Sequence, residues 1–177
     1  MTKQRISITI TKLEMKAKPA SLRLHLPHGN DNGRAVLLKL RQPPVHFYRY
    51  LYNTVGRDHV WVERRRMSDE ALAAIVQDER VEIYVLYCDG APAGYFELDL
   101  RKPPDAELAY FGLISDFIGR GFGGYLLATA IDTAWSKSIE RLWVHTNTLD
   151  HPRALPLYQK MGFSPYAQEQ TTIAPID

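Results

Sequence analysis

The segment Ile118-Gly119-Arg120-Gly121-Phe122-Gly123-Gly124 lies directly between a stretch of strand character and an amphipathic helical stretch. Glycines at a helix start leave the free backbone N–H groups uncovered, and the positive end of the helix dipole adds to them, so this position suits a phosphate. By glycine content alone, a flexible strand-to-helix turn would look the same. No Lys-Ser or Lys-Thr pair follows, which excludes a Walker loop, and the spacing does not fit a Rossmann fingerprint. A second segment, His151 to Phe163, follows a short strand and carries Ala154, Leu157, Tyr158, Gly162 and Phe163.

Together the two segments resemble the GNAT N-acetyltransferase family. The family's glycine-rich Gln/Arg-x-x-Gly-x-Gly/Ala motif is similar to Ile118 to Gly123, and its Ala-x-x-Leu-Tyr-x-x-x-Gly-Phe motif is similar to Ala154 to Phe163. By element order the resemblance runs from about Val45 to the C-terminus. The chain then reads as one domain over 1–177, with residues 1–42 as an added N-terminal β segment. Three departures stand out: Ile118 replaces Gln or Arg, His151 stands where many members have Asn, and the loop from Thr146 to Asp150 looks longer than usual. The first matters little if backbone N–H groups do the binding. The second transfers a coenzyme A contact of the family to His151.

The resemblance implies an α/β (α+β) fold with a mixed, mostly antiparallel central sheet, flanked by helices and splayed between two central strands. It implies acetyl-CoA as co-substrate. The strand ending in Phe111, Gly112 and Leu113 would diverge from its neighbour, and the pantetheine arm would pair with its freed N–H and C=O groups like an extra strand. Gly112 suits such a distortion. The pyrophosphate would rest on Gly119, Arg120, Gly121, Phe122, Gly123 and Gly124, with Arg120 adding charge, and a backbone N–H near Leu113 would polarise the thioester carbonyl.

Acetyl transfer to an amine needs a neutral attacking nitrogen and a protonated leaving thiolate. The resemblance makes Tyr158 the acid. It makes Glu107, which starts the strand before the glycine loop, the first candidate base. His145, whose ordinary pKa of about 6.5 suits the task, and Glu97 compete with it, and water could relay the proton. His25, His28, His46 and His59 have no metal-ligand spacing, so no metal is assigned. The family's acceptor wall would include Tyr48, Tyr52, Trp61 and the run Arg64-Arg65-Arg66, where an inward arginine would favour a carboxylate or phosphate.

The reading is direct transfer of acetyl in a ternary complex to an amine of a small molecule or peptide, with no covalent enzyme intermediate. A non-catalytic acyl-CoA-binding or regulatory module is the alternative. A homodimer is compatible with the sequence.

Positioning these residues falls to elements readable from periodicity. Ile6 to Ile10 and Leu22 to Leu26 alternate as strands, forming a hairpin or an edge, and Ala35 to Leu40 is a third strand candidate after a turn over His28 to Gly33. Val45 to Val55 has helical spacing with Gly56 as its αL cap, and Ser68 caps a helix over Asp69 to Gln77. Val81 to Tyr87 and Ala93 to Leu100 flank Asp89-Gly90-Ala91-Pro92 as a hairpin, followed by a strand from Glu107 to Ile114. A helix built on Leu126, Leu127, Ala130, Ile131, Ala134 and Trp135, a strand over Arg141 to His145, a helix over Arg153 to Met161 and a terminal strand or pair over Phe163 to Ile173 complete the order. Pro156 deletes a helical hydrogen bond unless it sits close to the helix start, which predicts an irregular start to the last helix.

The composition agrees with a globular α/β domain: 45% of the 177 residues are hydrophobic and 24% charged. Lys and Arg number 22 against 20 Asp and Glu, which leaves no strong field for nucleic acid or a membrane. Cys88 is the only cysteine, which excludes an intramolecular disulfide and fits a reducing, cytoplasmic setting. The alternation of Ile6, Ile8 and Ile10 differs from the solid apolar run of a signal peptide.

Overall fold

In the computed structural model, which describes residues 5–27 and 34–176, seven strands form one sheet in the order β2-β3-β4-β5-β6-β1-β7. The strands are β1 Ile6–Met15, β2 Ala35–Lys39, β3 Val81–Cys88, β4 Ala91–Asp99, β5 Asp105–Leu113, β6 Arg141–Asn147 and β7 Ser164–Ile173. The helices are α1 Val45–Gly56, α2 Asp69–Val76, α3 Phe122–Trp135 and α4 Ala154–Lys160. Neighbours pair antiparallel except β5 and β6, which run parallel and are joined through α3. The mixed, mostly antiparallel sheet is the architecture expected from the sequence.

Period-two alternation divides the core between the two faces. Val81, Ile83 and Val85 of β3 join Tyr48, Leu51 and Tyr52 of α1 and Leu72 of α2 in one cluster. Leu86 and Cys88, pointing the other way, join Leu108, Val144, Leu126, Ile131 and Tyr158 in the second cluster, against α3 and α4. The β3–β4 connection is a two-residue turn with Asp89 at φ 51° and Gly90 at φ 85°, the left-handed pair a type I′ hairpin requires. Ser68 caps α2 as its type predicts, its Oγ accepting the Ala71 N–H at 3.2 Å.

Three local expectations change. β1 is an interior strand between β6 and β7, where its inward residues Leu13 and Met15 complete the α3–α4 core. Leu22 to Leu26 forms no strand: Leu22 and Leu26 pack against that same core, while Leu24 between them is exposed. Gly56 has φ −84°, and the chain continues through a 3₁₀ turn to Val60, which takes the left-handed conformation at φ 56°. Gly56 is small for another reason, since a Cβ there would lie 2.5 Å from Trp61 Cβ. Pro156 falls in the first turn of α4, where its missing N–H costs no helical bond. The turn expected over 28–33 lies outside the described residues. No helix among them is long and apolar enough to cross a membrane.

Candidate active site

The two parallel strands at the centre stay together for only three residue pairs, Asp105 with Arg141, Ala106 with Leu142 and Glu107 with Trp143. Beyond them β5 continues to Leu113 beside β4, and β6 continues to Asn147 beside β1. The register of β5 slips at Ala109, since Glu97 faces Tyr110 while the next residue, Leu98, faces Leu108. A bulge of this kind bends the strand and turns it away from its neighbour. The gap opens into a cavity of about 600 Å³ lined by β5 from Leu108 to Leu113, by Val144, His145 and Asn147 of β6, and by α4.

Backbone groups on the β5 side of the gap are set by ladder alternation. The Ile114 N–H donates to Ala93 O at 2.8 Å, so the N–H and C=O groups of Leu113 and Phe111 point away from β4, toward the cavity. Gly112 also lines the cavity, and a Cβ on it would lie 2.4 Å from Val55 Cγ1. Glycine is therefore required for α1 to approach β5.

The glycine loop closes one end. Gly119 and Gly121 take left-handed conformations at φ 87° and 81°, and α3 begins at Phe122 with no acidic residue in its first turn. Gly119, Gly121, Gly123 and Gly124 line the cavity. At Gly119 and Gly124 a Cβ would meet nothing within 4 Å, so open space lies beside the helix N-terminus. The Arg120 guanidinium instead stacks on Phe117, 5.1 Å from its ring centre, and the Phe122 side chain is fully buried in the core. Arg153 and Lys160, which the sequence did not single out, line the cavity and bring positive charge to it.

The residues expected to move protons fall on both sides of the sheet. Tyr158 of α4 is 5% exposed, packs against Phe111 and Phe163, and reaches the cavity. Burial raises its pKa well above the ordinary value, which keeps the hydroxyl a donor. His145 also lines the cavity, whereas Glu107 does not. Glu107 Oε1 lies 3.6 Å from His145 Nδ1, and that contact raises the His145 pKa against the opposing effect of burial. Glu97 is fully buried beneath α1, accepting from Tyr48 Oη at 2.5 Å and Arg64 Nη2 at 2.7 Å. It is a core residue.

The residues expected to wall the acceptor are placed differently from one another. Tyr52 and Trp61 line the cavity, but Tyr48 is wholly buried and Arg64 spends its charge on Glu97. Arg66 donates to the Ala174 carbonyl. The acidic Glu63, beside this run, lines the cavity and accepts from Tyr110 Oη at 2.8 Å. Asp150 also lines it, holding the loop after β6 by accepting from Thr146 Oγ1 at 2.7 Å, the Asn147 N–H at 2.9 Å and Trp61 Nε1 at 3.2 Å. His151 lines the cavity too, its Nδ1 accepting the Arg153 N–H at 3.1 Å. An Asp closing the loop after a Thr-Asn pair was a readable turn signal; Glu63 had none.

The splayed parallel pair ending on a glycine-lined helix start is an acetyltransferase-type architecture, and comparison with known proteins agrees. The model of the Acetyltransferase (GNAT) family matches residues 48–163, and the chain belongs to that family. No curated protein matches the chain. Its fold is similar to that of the ribosomal-protein-S18-alanine N-acetyltransferase of Escherichia coli, with TM-score 0.60 and 19% identity over 76% of this chain and 80% of that one. An aminoglycoside acetyltransferase from an uncultured soil metagenomic sample gives TM-score 0.59 and 14% identity over 72% and 87%. A conserved protein of unknown function from Staphylococcus epidermidis ATCC 12228 gives TM-score 0.61 and 15% identity. That match covers 99% of this chain, which spans 64% of the Staphylococcus protein's length.

Proposed function

We propose that this acetyltransferase is an acetyl-CoA-dependent N-acetyltransferase acting on a small-molecule or peptide amine by direct transfer in a ternary complex. The observation that carries this reading is the gap between β5 and β6, which runs from unpaired strand backbone to the start of α3. The residues fit the co-substrate: free strand groups at Phe111 and Leu113 for an amide-bearing arm, and open space at Gly119 and Gly124 for phosphates. When bound, acetyl-CoA supplies the acetyl thioester and a thiolate leaving group.

The chain's own groups divide the remaining work. N–H groups of Gly119 to Gly124 hold phosphate oxygens, with Arg153 and Lys160 as accompanying cations and His151 beside them. A backbone N–H near Leu113 polarises the carbonyl to be attacked. His145, facing the cavity, takes the proton from the amine, and Glu107 behind it orients the ring and stabilises its charged form. Tyr158 gives a proton to the departing sulfur from the opposite wall. The roles of His145 and Glu107 are thus base and positioning residue.

Two measurements test the proposal. Saturating acetyl-CoA should raise the melting temperature, by about 2.7 kcal/mol of stabilisation at about 100 Kd. A screen of amines should give acceptor-dependent release of free thiol. A folded protein whose melting is unmoved by millimolar acetyl-CoA overturns the reading.

A further inference from the structure

The cavity is lined by charged groups of both signs. The positive groups are the free N–H groups of the glycine loop, Arg153 just before α4 and Lys160 in its last turn. His145, which an acceptor must reach, has the lining carboxylates of Glu63 and Asp150 near it, with Glu107 behind the ring. The hydrogen bonds of these two lining carboxylates come from neutral donors: Tyr110 Oη to Glu63, and Thr146, Asn147 and Trp61 to Asp150. Such bonds orient a carboxylate and leave its charge in place.

Two arginines of the run, which could have neutralised these carboxylates, are held by other partners, Arg64 by Glu97 and Arg66 by the Ala174 carbonyl. The Arg64 guanidinium sits behind Tyr110, 5.2 Å from its ring centre, and its Nη2 is committed to Glu97 in the core. Burial, with Tyr52 and Glu63 beside it, keeps the Tyr110 hydroxyl protonated, so it stays a donor to Glu63. Trp61 lies against Tyr110 and Tyr52, with ring centres 5.2 and 5.3 Å apart, and adds an aromatic wall next to Glu63. Carboxylate beside aromatic surface is the chemistry that recognises an alkylammonium group.

We infer that Glu63 determines acceptor specificity by holding a second ammonium group, so that the preferred acceptor is a di- or polycationic amine lacking a carboxylate. One amine faces His145 and is acetylated; the other stays charged and pairs with Glu63 beside Trp61. This replaces the anionic acceptor that an inward arginine would have favoured. It rests on the N-acetyltransferase reading of the same cavity.

The test compares butylamine, 1,4-diaminobutane and 4-aminobutanoate, matched in length, in acetyl-CoA-dependent thiol release by wild type and Glu63→Gln. The diamine should exceed butylamine in kcat/KM by about two- to fivefold, as expected for a solvent-exposed ion pair, and the carboxylate acceptor should be poorest. In Glu63→Gln the diamine-to-monoamine ratio should fall toward one, and in wild type it should shrink as salt rises. Calorimetric binding of the diamine to the protein–coenzyme A complex is measured in parallel. Binding that depends on Glu63 without thiol release from any amine upholds the specificity and overturns the catalytic reading. A diamine preference unaltered in Glu63→Gln, a preference for 4-aminobutanoate, or no Glu63-dependent binding overturns the inference.

Discussion

His145 Nδ1 stands 3.6 Å from Glu107 Oε1, on the face of the sheet turned away from α3 and α4. In the parallel register Glu107 faces Trp143, so His145 lies one side-chain repeat further along β6, just where the strands separate. The last paired residue of β5 thereby supports the first free inward residue of β6. The Glu107 contact raises the His145 pKa, with Glu63 and Asp150 adding to it and burial opposing.

This relationship fixes the sign of two pH effects. A histidine with a raised folded-state pKa contributes stability that is full below its unfolded value of about 6.5 and is lost as pH rises through the folded value. The neutral base appears over that same rise. Thus kcat/KM should climb with pH through an ionisation above 6.5 while this stabilising contribution declines. Glu107→Gln should move the rising limb to lower pH, and His145→Ala should abolish it with kcat lowered about 10² to 10⁴-fold. A rate profile in Glu107→Gln that overlays wild type would remove Glu107 from the positioning role.

Tyr158→Phe keeps the ring packed between Phe111 and Phe163 and removes only the hydroxyl. Acetyl-CoA affinity and melting temperature should change little, while kcat falls about 10² to 10⁴-fold. The defect should shrink with an acyl donor whose leaving thiol is more acidic. Unchanged kcat would make Tyr158 a packing residue alone.

Bulk in the glycine loop is best tested at Gly124. A side chain at Gly121 is strained by its φ of 81° whatever binds there, whereas Gly124 is helical with nothing within 4 Å of its Cβ position. Gly124→Val should therefore fold normally and lose at least about tenfold in acetyl-CoA affinity, since the added side chain occupies the phosphate space. Calorimetry showing wild-type affinity would place the pyrophosphate elsewhere.

Arg64 and Glu97 are 8% and 0% exposed at their side chains and lie 2.7 Å apart. Complete burial pushes the Glu97 carboxyl upward in pKa, and Arg64 and Tyr48 oppose that shift. Arg64→Met leaves the carboxylate buried without its cation and should cost about 3–5 kcal/mol in denaturant unfolding. Adding Glu97→Gln, which keeps a carbonyl oxygen for Tyr48, should recover much of the loss. Equal instability of the single and double variants would show that the ion pair is not what fails.

Features encoded within a few residues were legible in the sequence. Asp89-Gly90 specified the hairpin because a type I′ turn needs left-handed φ at both positions, and Ser68 specified a cap because its hydroxyl reaches an N–H three residues on. The glycine loop, the α4 segment with Tyr158 and the order of the elements were equally local, and they sufficed for the family.

The tertiary structure decided which distant groups meet. Alternation in Ile6 to Ile10 shows that a strand has two faces, yet not that β1 lies between β6 and β7, because pairing depends on which edge of the sheet is open. Three adjacent arginines looked alike in sequence; Arg64 was drawn to Glu97, 33 positions away, because a buried carboxylate without a partner is costly. With Arg64 held there, Glu63 lines the cavity and accepts from Tyr110. Charge counted along the chain could not foretell this, since the field in a cavity is set by the groups that remain after the buried ones have found partners.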